Sequence, residues 1–283
     1  PGAEIEFNGS KRHIMVQENI MAYGTSDAVV KISTDPLYNT STGENGGQSA
    51  IIYDIGNNTA SEFIHTELNY IEVYKNYTNV GDRRYNPVPV TFDHSVINSF
   101  YGNNSSFAIS TLKNSNYNEY SYGVYYYSTA RIRNTNNTVF NALDLYTKEP
   151  REINQYIARV DQAVNTTFNN GYFDFQNGSI DSSVFNQAKA YRAAEIKNSR
   201  FTDSSITGSN SLRLTDSQLV NSTVSLTGDN TRLTMHYSQL DTDSTVSAKL
   251  LDIAYNYWGS TDLDTIALQS GYSPNIEKNT HLY

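Results

Sequence analysis

The chain has 283 residues, no cysteine and a net charge of −9, with 17% charged residues, 38% hydrophobic residues and 23 tyrosines. Acidity without a basic cluster excludes phosphate-backbone recognition, so nucleic acid is not an expected partner; the missing thiols exclude disulfides, thiolate zinc sites and cysteine nucleophiles. The sequence holds no apolar run long enough for a membrane-spanning helix, so no membrane insertion is expected, and the rich supply of Asn, Ser, Thr and Tyr suits exposed sheet faces and tight turns. In chain order, the opening segments Ile5–Phe7, Ile20–Thr25 and Val29–Ile32 read as short strands. Five further segments each set a polar turn before a large apolar residue: Ile64–Leu68, Phe92–Ile97, Asn136–Phe140, Asn165–Phe168 and Asp181–Phe185. Their uneven spacing predicts loops inserted at Leu37–Ser49, Tyr74–Pro89 and Asn114–Tyr127, and in repeat folds such insertions often build the binding face.

Between Pro150 and Val164 the apolar residues Ile153, Tyr156, Ile157, Val160 and Val164 follow a helical period, with Pro150 near the first turn. A short helix is expected there, with two further strands as the alternative. The C-terminal third shows the repeat best. Asn198-Ser199-Arg200-Phe201, Asp216-Ser217-Gln218-Leu219 and Tyr237-Ser238-Gln239-Leu240 share one pattern, and their apolar residues stand 18 and 21 residues apart. Trp258 follows Leu240 by 18. About 20 residues per turn is the scale of a solenoid coil. Leu212, Leu214, Leu219, Val224 and Leu226 take inward positions, and Gly208-Ser209-Asn210 and Gly228-Asp229-Asn230 mark corners. Strands this short are stable only when stacked.

The opening Pro1-Gly2-Ala3-Glu4-Ile5-Glu6-Phe7, with Ile20–Thr25 and Val29–Ile32, resembles the first coils of prokaryotic surface β-helix proteins of the pectin-lyase-like superfamily. Asn256-Tyr257-Trp258-Gly259-Ser260-Thr261 is similar to the segment that often closes such solenoids. The resemblance implies an all-β chain: one right-handed parallel β-helix over residues 1–260, of about nine to twelve coils, and a capping tail over 261–283. Trp258 is expected to plug the core and Gly259 to permit a sharp exit. The start at Pro1 reads as an excised segment of a larger surface protein, with neighbouring domains or a preceding coil outside it.

Enzymes on this fold act on polysaccharides, so the acidic and basic residues matter. Asp203, Asp216, Asp229, Asp241 and Asp243, near Arg200, Arg213 and Arg232, stack on the aligned coils; oxygen ligands for calcium are one reading, but their corner positions favour a solvated face of turn-forming aspartates. Asp93-His94-Ser95 has the residue types of acid–base chemistry, but strand neighbours point to opposite faces, and His65 suggests a stacked surface histidine. The stretch from Asn118 to Tyr127 places Tyr120, Tyr122 and Tyr126 on one face of a strand, either packing an inserted loop onto the side of the solenoid or forming a platform for sugar rings. Arg83, Arg84 and Arg131 are candidate partners for the carboxylates of an acidic glycan. The preferred expectation is a non-catalytic, extracellular adhesion or ligand-binding module at the cell surface, binding a polysaccharide or host glycan. It needs no cofactor beyond a calcium ion that the sequence leaves open. The alternatives are a polysaccharide lyase or glycoside hydrolase, and a structural spacer in a surface fibre.

Overall fold

The computed structural model describes residues 2–7, 12–34, 49–76, 86–101, 107–121, 130–144, 147–150 and 156–270. Strands occupy 61% of the described residues, their ladders are parallel, and strands pair with those one coil away: the chain is a parallel β-helix. The in-register pairs Phe201–Leu219 and Leu219–Leu240 are those that the repeat spacing predicts. No helix among the described residues is long and apolar enough to cross a membrane. The chain divides into two compact units, Pro1–Arg159 and Val160–Tyr283.

In the first unit, one face stacks Glu4–Phe7, Val30–Thr34, Thr66–Asn69, Val96–Tyr101, Asn116–Ser121 and Val139–Asp144. Alternation along each strand turns one residue inward at every level, and Ile32, Leu68, Ile97, Tyr117 and Phe140 form a buried column. A second face stacks Met21–Tyr23, Ser61–Ile64, Val88–Asp93, Phe107–Lys113 and Ala130–Asn136. Phe63 and Phe92 lie there ring on ring at 4.6 Å. A third begins with His13–Val16, Ala50–Tyr53 and Glu72–Lys75. In the second unit, Phe168, Phe185, Phe201, Leu219 and Leu240 make one core column, with ring centroids 4.5 and 4.4 Å apart along its aromatic part. Ile180, Ile196, Leu214 and Met235 make another, and Ala190, Ile206, Val224 and Val246 a third.

One corner repeats through both units and explains the polar-turn pattern. His65, His94, Asn114, Asn137, Asn165, Ser182, Asn198, Asp216 and Tyr237 all have φ between 46° and 55°, the left-handed region that Asn, Asp and His tolerate best. The residue after each is a buried Ser or Thr. In the second unit the N–H of Ser183 donates to Ser199 Oγ at 3.1 Å, Ser199 to Ser217 at 3.2 Å and Ser217 to Ser238 at 3.3 Å. Each serine hydroxyl then donates to the carbonyl two residues before it. Asn256 ends the row, its Oδ1 accepting the Ser238 N–H at 2.9 Å. A sharp bend is thus made without orphaning buried backbone groups.

Two expectations are corrected. Tyr156–Val164 is a nine-residue strand, not a helix; residues 151–155 lie outside the described residues. The ladder from Gln162–Val164 to Ser179–Asp181 satisfies the backbone there, and the helical spacing of Ile157 and Val160 is incidental. The expected loop Asn114–Tyr127 is sheet over Asn116–Ser121, because Tyr117 fills the core column. The tail after Trp258 contains the helix Leu263–Ser270, which the sequence reading did not anticipate. Trp258 itself is buried, and Gly259 turns the chain at φ 70°.

Candidate functional site

Of the predicted platform, Tyr120 is described; Tyr122, Tyr126, Arg83 and Arg84 lie outside the described residues. Tyr120 is half-buried. The Tyr70 ring meets it edge-on at 6.0 Å, and Lys148 Nζ sits 4.4 Å from its centroid, covering a ring face. Burial raises the pKa of both phenols. An asparagine ladder runs beside it: Asn98 Nδ2 donates to Asn69 Oδ1 at 2.6 Å, Asn118 to Asn98 at 2.9 Å and Asn141 to Asn118 at 2.9 Å. Arg131 belongs to the Ala130–Asn136 strand, on another face from Tyr120.

One residue before Tyr120, Glu119 points into the core and is buried. Burial pushes its pKa up to about 8, against the opposing pull of hydrogen bonds from Tyr117 and Ser99. The Tyr117 hydroxyl donates to Glu119 Oε2 at 2.6 Å. Burial, followed by the Glu119 charge, raises the Tyr117 phenol as well.

Asp93 and His94 do act on one side, contrary to the strand argument. His94 is a left-handed corner residue, which swings its ring so that Nδ1 lies 2.8 Å from Asp93 Oδ1. Partial burial opposes the Asp93 charge, yet the Asn114 amide, Lys113 and His94 hold its pKa below the ordinary range. His65 packs on His94 at 5.1 Å, the stacked surface pair that the sequence suggests. Asp203, Asp216 and Asp241 sit at corners, as the turn-forming reading of the sequence expects, and not in one row. Asp216 belongs to the corner of His94 and Asn198, whereas Asp203 belongs to a different corner, with Asn221 Nδ2 donating to its Oδ1 at 2.7 Å. Asp241 accepts the Asn221 N–H at 2.8 Å and the Ser244 hydroxyl at 2.5 Å. These carboxylates fasten turns. Among the described residues no three His, Cys, Asp or Glu side chains are arranged to hold a metal ion.

Among the described residues, the last coils of the second unit carry three exposed tyrosines. Tyr237 is 62% exposed, Tyr257 56% and Tyr255 39%. Tyr237 and Tyr255 take corresponding corner positions in consecutive coils, so their rings lie 11° from parallel with centroids 5.5 Å apart. His236 stands edge-on to both. Its Nε2 lies 3.1 Å from Asp252 Oδ1, and Arg232 Nη2 is 3.7 Å from Asp252 Oδ2. Two residues after this corner, the strand position held by Gln218 and Gln239 is taken over by Tyr257. These three side chains line a cleft of about 280 Å³ with Asp241, Thr242 and Gly259.

No family model, curated protein or solved structure matches the chain. The cleft therefore has to be understood from its own chemistry. Sequence reasoning identified the repeat that contains it but missed the site. The usable signal was the spacing: Tyr237 and Tyr255, like Gln239 and Tyr257, stand 18 residues apart, one coil, and so must be neighbours on the surface. Among the described residues of this unit, Tyr172 and Tyr191 are already occupied. Lys189 Nζ is 5.0 Å from the Tyr172 ring centre, and Arg192, ion-paired to buried Asp174, lies 4.9 Å from that of Tyr191.

Proposed function

We propose that this chain is a non-catalytic, extracellular adhesion module of a larger surface protein that binds carbohydrate in the Tyr257 cleft. One observation supports this best: an exposed tyrosine shares a small cleft with the amide side chains of Gln218 and Gln239, neither of which hydrogen-bonds to another described side chain. A pyranose has an apolar C–H face and a rim of hydroxyls, which suit a ring and two amides respectively. The stacked Tyr237–Tyr255 pair extends the aromatic surface beyond the cleft. The resemblance of both chain ends to surface β-helix proteins supports the same reading.

A polysaccharide-cleaving enzyme is the second reading, favoured by the contact between Asp252 and His236, which orients an imidazole at the surface. One experiment separates them. The purified chain is passed over immobilised neutral and acidic polysaccharides, with and without calcium, while new unsaturated and reducing ends are recorded. Retention without product is expected, and Tyr257→Ala should weaken it about tenfold, the worth of one aromatic contact. Product that disappears in His236→Ala would replace the adhesin reading with the enzyme.

A further inference from the structure

The corner row of the first unit carries His65, His94, Asn114 and Asn137 on successive coils. Backbone bonds tie them in order: the His65 N–H donates to the Asp93 carbonyl at 3.0 Å, His94 to Lys113 at 3.2 Å and Asn114 to Asn136 at 2.9 Å. At the asparagine levels the side chains bond one another, Asn137 Nδ2 donating to Asn114 Oδ1 at 2.9 Å. At the histidine levels the pattern changes. Asn114 Nδ2 turns to Asp93 Oδ1 at 2.8 Å, and Lys113 Nζ lies 3.0 Å from Asp93 Oδ2. The same carboxylate takes the Nδ1–H of His94. A neutral imidazole has one ring proton, so fixing it on Nδ1 leaves the lone pair of Nε2 available to a ligand. The His94 side chain is 53% exposed. His65 stacks beside it, 5.1 Å between centroids and 36° from parallel, and its ring has no hydrogen-bond partner among the described residues.

We propose that His65 and His94 form a site for a divalent transition-metal ion, copper(II) or zinc, held between adjacent coils with Asp93 orienting the His94 ring. Imidazole suits copper and zinc, whereas calcium and magnesium select oxygen ligands. A carboxylate behind a ligating histidine is the usual device by which metal sites fix the tautomer and direction of the ring. Metal–nitrogen bonds of about 2.0–2.1 Å require the two ring nitrogens to approach more closely than the present ring centres. The tilt already brings one pair of ring edges nearer than the centres. His65, with no side-chain hydrogen bond to break, supplies the remaining adjustment by turning about its broad χ2 torsion. Water completes the coordination, since the protein offers two ligands. An ion held in this way clips the His65 corner to the His94 corner and stabilises the folded first unit by mass action. The site does not depend on the carbohydrate reading.

Isothermal titration of the purified chain with copper(II), zinc and calcium at neutral pH tests it. Copper should bind saturably and zinc more weakly, in the order that imidazole ligands impose, and neither should be displaced by calcium. Electron paramagnetic resonance of the copper form should show two imidazole nitrogens. His65→Asn and His94→Asn should each remove the saturable binding, whereas His13→Ala and His236→Ala should leave it unchanged. Asparagine is the replacement because it tolerates the left-handed corner and already occupies it at Asn114 and Asn137. Asp93→Asn should weaken copper about tenfold while both nitrogens stay in the spectrum. Circular dichroism checks folding; if either histidine variant is unfolded, protection of both His65 and His94 from diethyl pyrocarbonate by zinc in the wild-type chain decides instead. Absence of saturable copper binding overturns the proposal. So does binding that survives both histidine variants, a spectrum with one nitrogen, or zinc that fails to protect the pair. Wild-type affinity in Asp93→Asn overturns the role given to Asp93.

Discussion

Ser217 accepts the Ser199 N–H on its hydroxyl oxygen at 3.2 Å and gives the hydroxyl proton to the Thr215 carbonyl at 2.8 Å. Ser217→Ala removes both bonds and leaves a buried N–H without a partner, which should cost about 1–3 kcal/mol in chemical denaturation. Ser217→Thr should recover most of that loss, since Thr66, Thr138 and Thr166 hold the same corner position in other coils. Glu119 makes a second prediction at this scale. Its pKa is raised from the ordinary 4.5 to about 8, so the folded chain holds that proton more tightly than the unfolded one. Its contribution to stability is complete below pH 4.5 and is lost as pH rises towards 8 and beyond. Thermal melts between those limits should show a declining Tm in the wild type and a flatter profile in Glu119→Gln. Neither residue stands out in a sequence reading to the same degree. The corner serines recur at coil spacing, whereas Glu119 looks like an ordinary surface glutamate until the parity of its strand is known.

Trp258 fills the end of the Leu219–Leu240 column, and Trp258→Ala should destabilise the second unit by about 3–5 kcal/mol, measurable as a lower denaturant midpoint. The tryptophan was legible because Asn256-Tyr257-Trp258 keeps the 18-residue step from Leu240. The helix after it was less legible. Its cap is present in the sequence, with Asp262 Oδ2 accepting the Thr265 hydroxyl at 2.7 Å and its backbone N–H at 3.2 Å. But eight residues carry too short a periodic pattern to distinguish a helix from a loop. The reverse error occurred at Tyr156–Val164, where helical spacing was present and the partner strands that override it lie a coil away in sequence. In a solenoid the decisive contacts come from the neighbouring coil, so local periodicity is a weak guide wherever the repeat is irregular.

At the scale of the molecule, stability within each unit is a chain of neighbour-on-neighbour terms. Amides of Glu4–Phe7, His13–Val16 and Met21–Tyr23, which pair along one edge among the described residues, should therefore exchange with solvent well before those of Val184–Tyr191 and Arg200–Thr202, which have a coil on either side. The architecture was legible as a whole because each coil repeats the same solution. The binding cleft was not, because it depends on which outward column each polar residue joins, and the left-handed corners shift that assignment. The corner row has a last consequence, for length. Since Ser183, Ser199, Ser217 and Ser238 make equivalent bonds, the segment Arg200–Ser217 is one interchangeable period. Excising it joins Ser199 to Gln218, brings Ile196 under Met235 and Phe185 under Leu219, and leaves every remaining corner with a donor and an acceptor. Such a shortened protein should stay soluble and β-rich, whereas removing half that segment should not; the molecule can grow or shrink in whole turns, by gene duplication or deletion, without a new core being invented.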